Sequence, residues 1–302
     1  MKASLRFRTP MLPWRHQMQS LTLWIFLASL VFNALGDDES KKNIDLQLEA
    51  IKQEEHRLSH EMLRQHPPPA KAIQYRDKKL CLIIETRAHP QLISHITYMA
   101  RYLPSDWPIT VMHGTSNQKH LQDNPAIKEL IIKGTVKLHN LGLASINLSH
   151  YNLKMLINPD WWETIEAEHV LISEIDSVYC PNSTNQLDDF LHWGFVGAQC
   201  KNSGISLWRR SVAMCVCSRW NYSTEWGAWP DVYINQQIEL HNCGKAVTPD
   251  VCNKFSIELN YHPNSLAMHV PIYPCTELSK ILDYCPEMIT KKHRTSCPKS
   301  FR

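Results

Sequence analysis

The sequence predicts an α/β domain built on a mainly parallel sheet flanked by helices, and three observations carry that prediction. The short continuous apolar run Leu80–Ile84 has the composition of a strand buried on both faces, and His169–Ser173 reads as a later strand. Helix-like and strand-like stretches alternate in the interval between them. The composition, 43% hydrophobic and 20% charged over 302 residues, is that of a folded chain with a sizeable core.

The elements follow in order. After the first strand, residues 89–102 place Leu92, Ile93, Ile96 and Met99 at helical spacing, and Pro104 closes the helix. Residues 107–112 read as a strand, 126–130 as a short helix and 136–141 as another strand. Residues 151–157 and 161–166 read as helical, and 169–173 as the next strand. Asn202 and Gly204 mark a turn that continues as extended chain or helix to Arg210, Asp231 opens an amphipathic stretch, and 255–258 is strand-like.

The N-terminus has a different character. Lys2, Arg6, Arg8 and Arg15 precede the apolar run Leu21–Leu35, and Asp37, Asp38 and Glu39 follow it. A basic flank, an apolar run and an acidic flank form an export signal with the basic side cytoplasmic. The run is 15 residues long, short against about 20 for a full span. The secretory bilayer is thinner, however, and insertion tolerates Ser20, Thr22 and Ser29 at the margins, so a retained type II anchor is expected, with a signal peptide cleaved after Ala34 and Gly36 as the alternative. The net charge is +3, and the four basic residues account for more than all of it. The remaining body is near neutral and lacks the electrostatic footprint of a nucleic-acid binder.

The cysteines point to the same compartment. There are ten, nine of them between Cys180 and Cys297, without the paired half-sites of a zinc ribbon. Disulfides in an oxidising lumen are the expectation, their pairing open, with Cys81 a buried free thiol inside its apolar run. Asn147, Asn182 and Asn221 each begin a glycosylation sequon. Residues 37–77, interrupted by Pro67, Pro68 and Pro69, read as a stem between the anchor and a folded domain at 78–302, with an extra helix packed on the domain as the alternative.

In open α/β sheets ligands bind beyond the carboxyl ends of the strands. That rule selects Glu85-Thr86-Arg87 after the first strand and Glu174-Ile175-Asp176 after the later one. In extended chain Glu174 and Asp176 would project to the same side. Two such carboxylates are either compensated by a hard cation, Mn²⁺ or Mg²⁺, or are two solvated acids in a turn. Asp231 is either a helix N-cap or a general base. Among the tryptophans, Trp193, Trp208, Trp220, Trp226 and Trp229 concentrate in the second half, mostly as core with some free to stack on sugar rings. Hydrolase signatures such as GxSxG and HExxH are missing.

Six phrases stand in a recognisable series: ETRAHP at Glu85–Pro90, SEIDSV at Ser173–Val178, DDFLHWGFVGA at Asp188–Ala198, NSGISLWRRS at Asn202–Ser211, DVYI at Asp231–Ile234, and FSIE followed by MHVP. Over residues 78–272 the chain resembles a glycosyltransferase family known mainly as a domain of unknown function. The resemblance implies a GT-A-like fold with a Rossmann-type sheet. It also implies transfer of a sugar from a nucleotide-sugar donor to an acceptor hydroxyl on a glycan, protein or lipid. By the same resemblance Glu174, Asp176 and His269 bind the metal, and Asn202, Gly204 and Ser206 form the donor loop. Thr86 and Arg87 lie at the nucleotide entrance, and Asp231 is the acid that acts as base or orients the acceptor in inverting relatives. The chain departs from the family pattern at Ser203, where a glycine is common, and at Pro230, where an acid is common. With the export signal, the implied setting is the Golgi or ER membrane with a lumenal domain, or secretion if the signal is cleaved. The alternative is a catalytically inactive lectin or scaffold that keeps the fold.

Overall fold

A computed structural model describes residues 78–144, 155–220, 231–258, 261–269 and 275–290. The expected anchor at 21–35, the stem, and the sequons at Asn147 and Asn221 lie outside these residues, as do Trp226 and Trp229. No helix among the described residues is long and apolar enough to cross a membrane.

Local sequence sets the first elements. Strand β1 (Lys79–Glu85) is followed by helix α1 (Leu92–Tyr102), which buries Leu92, Ile96 and Met99 and ends where Leu103, ahead of Pro104, turns extended. Strand β2 (Ile109–His113) leads to α2 (Gln118–Asp123) and α3 (Pro125–Ile132). The Asn124 side chain caps α3 by accepting from the amides of Ala126 and Ile127, with Pro125 in the first turn. Strand β3 (Val136–Asn140) completes this half. In the same way Asn158 caps α4 (Pro159–Glu163), whose Trp161 and Trp162 are both buried.

Next come β4 (His169–Ser173), β5 (Ser177–Tyr179), β6 (Phe195–Ala198), β7 (Asn202–Arg209) and α5 (Arg210–Arg219). Helices α6 (Asp231–Leu240) and α7 (Pro249–Phe255) precede β8 (Ser256–Ile257), β9 (Ala267–His269) and α8 (Cys275–Tyr284). The large sheet has the order β3-β2-β1-β4-β7-β6. Its β3, β2, β1 and β4 run parallel, while β7 lies antiparallel to both β4 and β6. The chain therefore has the expected mixed α/β architecture with a mostly parallel sheet. The 202–210 stretch is a strand, its direction fixed by a hairpin with β6 in which Gln199 and Cys200 take left-handed backbone (φ 54° and 60°). A small second sheet, β5-β9-β8, has β9 at its centre.

Core residues alternate across the large sheet. Ile83, Val111, Leu171 and Leu207 pack with α1 on one face. Leu82, Ile84, Val170, Ile172 and Trp208 pack with α4, α5 and α6 on the other. Trp208 and Trp220 are thus core, and Trp193 packs against it from the edge.

Disulfides join Cys180 to Cys285, Cys200 to Cys252 and Cys215 to Cys243. The second ties the β6–β7 hairpin to α7. Cys81 is a buried free thiol, as expected, and Cys217 is another. Burial disfavours both thiolates, raising Cys81 and pushing Cys217 up to about 12. Two outcomes are expected. In peptide mapping after iodoacetamide, Cys81 and Cys217 react only once the protein is unfolded. Replacing Cys200 and Cys252 together by Ser removes the constraint on a 52-residue separation and lowers unfolding stability by about 2–4 kcal/mol in a urea titration.

Candidate active site

The acid pair is held by a turn. Strand β4 ends at Ser173, and the Ser177 amide donates back to the Glu174 carbonyl at 3.0 Å. The Ser177 hydroxyl donates to the same oxygen at 2.6 Å. Ile175 points into the core while Glu174 and Asp176 face outward. A turn, closed by the two Ser177 bonds to the Glu174 carbonyl, takes the place of the extended geometry expected from the sequence. A buried polar chain braces this turn: His95 Nε2 lies 3.0 Å from the Ser173 hydroxyl, which lies 2.9 Å from that of Ser177.

His269 reaches the turn through sheet pairing. It ends β9, where it is registered opposite Ser177 of β5. Its Nε2 lies 3.5 Å from Glu174 Oε2 and 3.4 Å from Asp176 Oδ1. Its Nδ1 lies 3.6 Å from Oε1 of Glu258, which directly follows β8. The residue is 8% exposed, and neither ring nitrogen has a partner at hydrogen-bonding geometry. These approaches are ion-pair distances rather than hydrogen bonds. Burial disfavours the imidazolium, but Asp176, Glu174 and Glu258 outweigh it and raise the pKa to about 11.

Gly204 makes room for the ring. A side-chain carbon there would stand 2.2 Å from both Cδ2 and Nε2 of His269. The resemblance placed this glycine in the donor loop; here the space beside it is taken by an imidazole. Gly204 also accepts from the Glu174 amide at 2.7 Å and donates to Oδ1 of Asn202 at 2.7 Å. Asn202 Nδ2 in turn donates to Oε2 of Glu258 at 3.1 Å.

One oxygen or nitrogen from each of Glu174, Asp176 and His269 fits within 4.8 Å of the others, a possible metal-binding group. Two carboxylates and an imidazole form a donor set for Mn²⁺ or Mg²⁺, and the buried, unbonded ring nitrogens fit a cation at this point.

The remaining expected residues divide. Arg87 forms a two-pronged ion pair with buried Glu85, Nη2 to Oε2 at 2.8 Å and Nε to Oε1 at 3.0 Å. Its guanidinium pKa is raised first by Glu85, with Asp176 and Glu174 adding to it, so Arg87 stands in the field of the acid pair. Thr86 is fully buried, and Asn117 secures the loop by donating to the carbonyls of Glu85 and Arg87. Ser206 is fully buried within β7 and accepts from Trp208 Nε1 at 2.7 Å. Thr86 and Ser206 therefore stand behind the site. Asp231 begins α6, half-buried and outside the acid–histidine group. Glu258 was not among the expected site residues; an acid placed directly after a predicted strand, inside the FSIE phrase, was its available signal.

Gly204→Ala is expected to push the His269 ring from its place, lowering stability by about 1–3 kcal/mol in urea unfolding. The ring's displacement is read as a changed His269 side-chain NMR signal.

No curated protein matches the sequence significantly. Among solved structures, the glycosyltransferase GlyE of Streptococcus pneumoniae TIGR4 in its apo form aligns with a TM-score of 0.40 and 12% identity over 64% of this chain and 54% of its own. The mannosyltransferase PcManGT of Pyrobaculum calidifontis, in complex with GDP-Man and Mn²⁺, aligns with a TM-score of 0.43 and 12% identity over 77% of this chain and 65% of its own. TarS of S. aureus, residues 1–349 in complex with UDP, gives 0.32 and 12% over 58% and 69%. The chain thus spans about half the length of GlyE and somewhat under two-thirds of PcManGT. Residues 137–269, the stretch that carries Glu174, Asp176, Asn202, Gly204, Glu258 and His269, match the family described as Protein of unknown function (DUF5672).

Proposed function

We propose that this chain is a glycosyltransferase that moves a sugar from a nucleotide-sugar donor to an acceptor hydroxyl, with Mn²⁺ or Mg²⁺ held by Glu174, Asp176 and His269. One observation carries the reading. Two acids at a strand end and a buried histidine from another sheet converge beyond the carboxyl ends of β1 and β4, where open α/β sheets bind ligands. The motif series that resembles a glycosyltransferase family supports it.

When bound, the cation would offset the negative charge of the departing diphosphate. The chain's own residues supply the rest. Glu174 and Asp176 are aimed by the turn that buries Ile175. Arg87, exposed but fixed by Glu85, adds a positive charge beside them. Asp231 deprotonates or orients the acceptor hydroxyl. The setting proposed is a type II membrane protein of the Golgi or ER, anchored through residues 21–35. Three disulfides agree with an oxidising lumen, and Asn182 is exposed in a turn, where a glycan could be attached. The Ser203 and Pro230 departures favour a second reading, an inactive lectin or scaffold of the same compartment.

The test is turnover of a panel of nucleotide-sugars by the full-length protein, with Mn²⁺ or with EDTA. Metal-dependent release of nucleoside diphosphate is expected, falling about a hundredfold or more in Asp176→Asn and in Asp231→Asn. Activity indifferent to Asp176→Asn would remove the metal assignment. Nucleotide binding without turnover of any donor would select the inactive reading.

A further inference from the structure

We propose that Glu258 is a positioning residue: its carboxylate takes the Nδ1 proton side of His269 and so presents Nε2 to Glu174 and Asp176. The proposal deepens the reading above and rests on it. A neutral imidazole carries one ring proton, and a nitrogen that ligates must be the other one. Ligating histidines are commonly oriented by a carboxylate or carbonyl on the far nitrogen.

His269 meets that description from both sides. Its Nε2 faces Glu174 and Asp176, whereas Nδ1 faces Glu258 at 3.6 Å. Glu258 therefore stands across the ring from the acid pair and outside the three-residue donor group. The 3.6 Å separation is longer than a hydrogen bond, and a small rotation of the ring or carboxylate closes it once Nε2 is engaged.

Glu258 is anchored for this task. The pairing of β8 with β9, Ser256 opposite Ala267 and Ile257 opposite Met268, places the next residue beside His269. Its other oxygen accepts from Asn202, whose Oδ1 holds the Gly204 amide, and the Gly204 carbonyl accepts from the Glu174 amide. Glu258, Asn202, Gly204 and Glu174 thus close a frame of four residues around the imidazole. Asn202, expected to face the donor, anchors Glu258 within that frame.

The deciding measurement is Mn²⁺ affinity of the full-length protein by electron paramagnetic resonance, together with the ¹⁴N coupling of the bound ion. Glu258→Gln keeps the size of the side chain, but an amide offers a single acceptor oxygen to the two donors, Nδ1–H and Asn202 Nδ2. Mn²⁺ binding about 10- to 100-fold weaker, with altered ¹⁴N coupling and an unchanged Tm, is the expected result. Wild-type affinity and coupling in Glu258→Gln, with binding lost in Asp176→Asn, would overturn the positioning role and leave the metal assignment standing. Absence of Mn²⁺ binding by the wild-type protein would overturn both. Should Glu258→Gln lower the Tm, Asn202→Ala decides by the same two readouts, since it leaves the carboxylate in place but unanchored.

Discussion

The crowding of negative charge around one buried imidazole is the constraint that the site's surroundings are arranged to meet. Glu174, Asp176 and Glu258 approach His269 from two sides, and the nearby guanidinium of Arg87 is already matched by Glu85. Unit charges within 4.8 Å repel by roughly 3–4 kcal/mol at an effective dielectric constant of about 20, less where water reaches them. A protonated His269 offsets one of the three carboxylates and leaves two charges in excess. Such a cluster would spread apart on a flexible loop. It persists here because three of its members are held by the fold: Glu174 through backbone bonds to Ser177 and Gly204, Glu258 by its place after β8 and the Asn202 side chain, His269 through β9.

The two sheets share this work. Parallel strands β1 and β4 bring Glu85 and Ser173 to the same edge of the large sheet, and the turn after Ser173 carries the acids. The small sheet delivers the base: β9, its central strand, pairs with β5 on one side and β8 on the other, so His269 falls between Ser177 and Glu258. Two disulfides secure the seam. Cys200–Cys252 fixes the hairpin that ends at Asn202 to the helix that leads to Glu258, and Cys180–Cys285 holds the chain just after β5.

The parts of this arrangement that were legible in the sequence are those set by local pattern. Leu80–Ile84 and Val170–Ile172 are apolar without interruption because they lie between two helical layers, so the strands, the parallel sheet and the acids at its edge could all be read. The turn at Ile175 could be read only as one of two alternatives, because alternation in an extended chain and burial of a middle apolar residue give the same three-letter pattern. Strand β7 was ambiguous because its direction is set by the hairpin with β6, whose left-handed residues are Gln199 and Cys200 rather than glycines. Glu258 escaped for a different reason. Its meaning lies in a register eleven residues away, between strands two and three residues long, which no periodicity announces.

Gly204 shows why chemistry and packing cannot be separated at this site. A glycine in a donor loop and a glycine beneath a ligand histidine obey the same rule, that a Cβ would occupy space something else needs. Here the space is filled by the imidazole, so the requirement for glycine is met before any ligand enters. The loop then acts on a ligand through His269, and the ring's orientation becomes the variable on which the site depends. Gly204 leaves the ring the space it fills, the acids draw Nε2 outward, and Glu258 draws Nδ1 back. A cation between the acids would relieve the charge that strains this balance, and so would stabilise the folded chain as it binds. The frame is thus built against its own repulsion, and what relieves that repulsion is the charge the proposed chemistry requires.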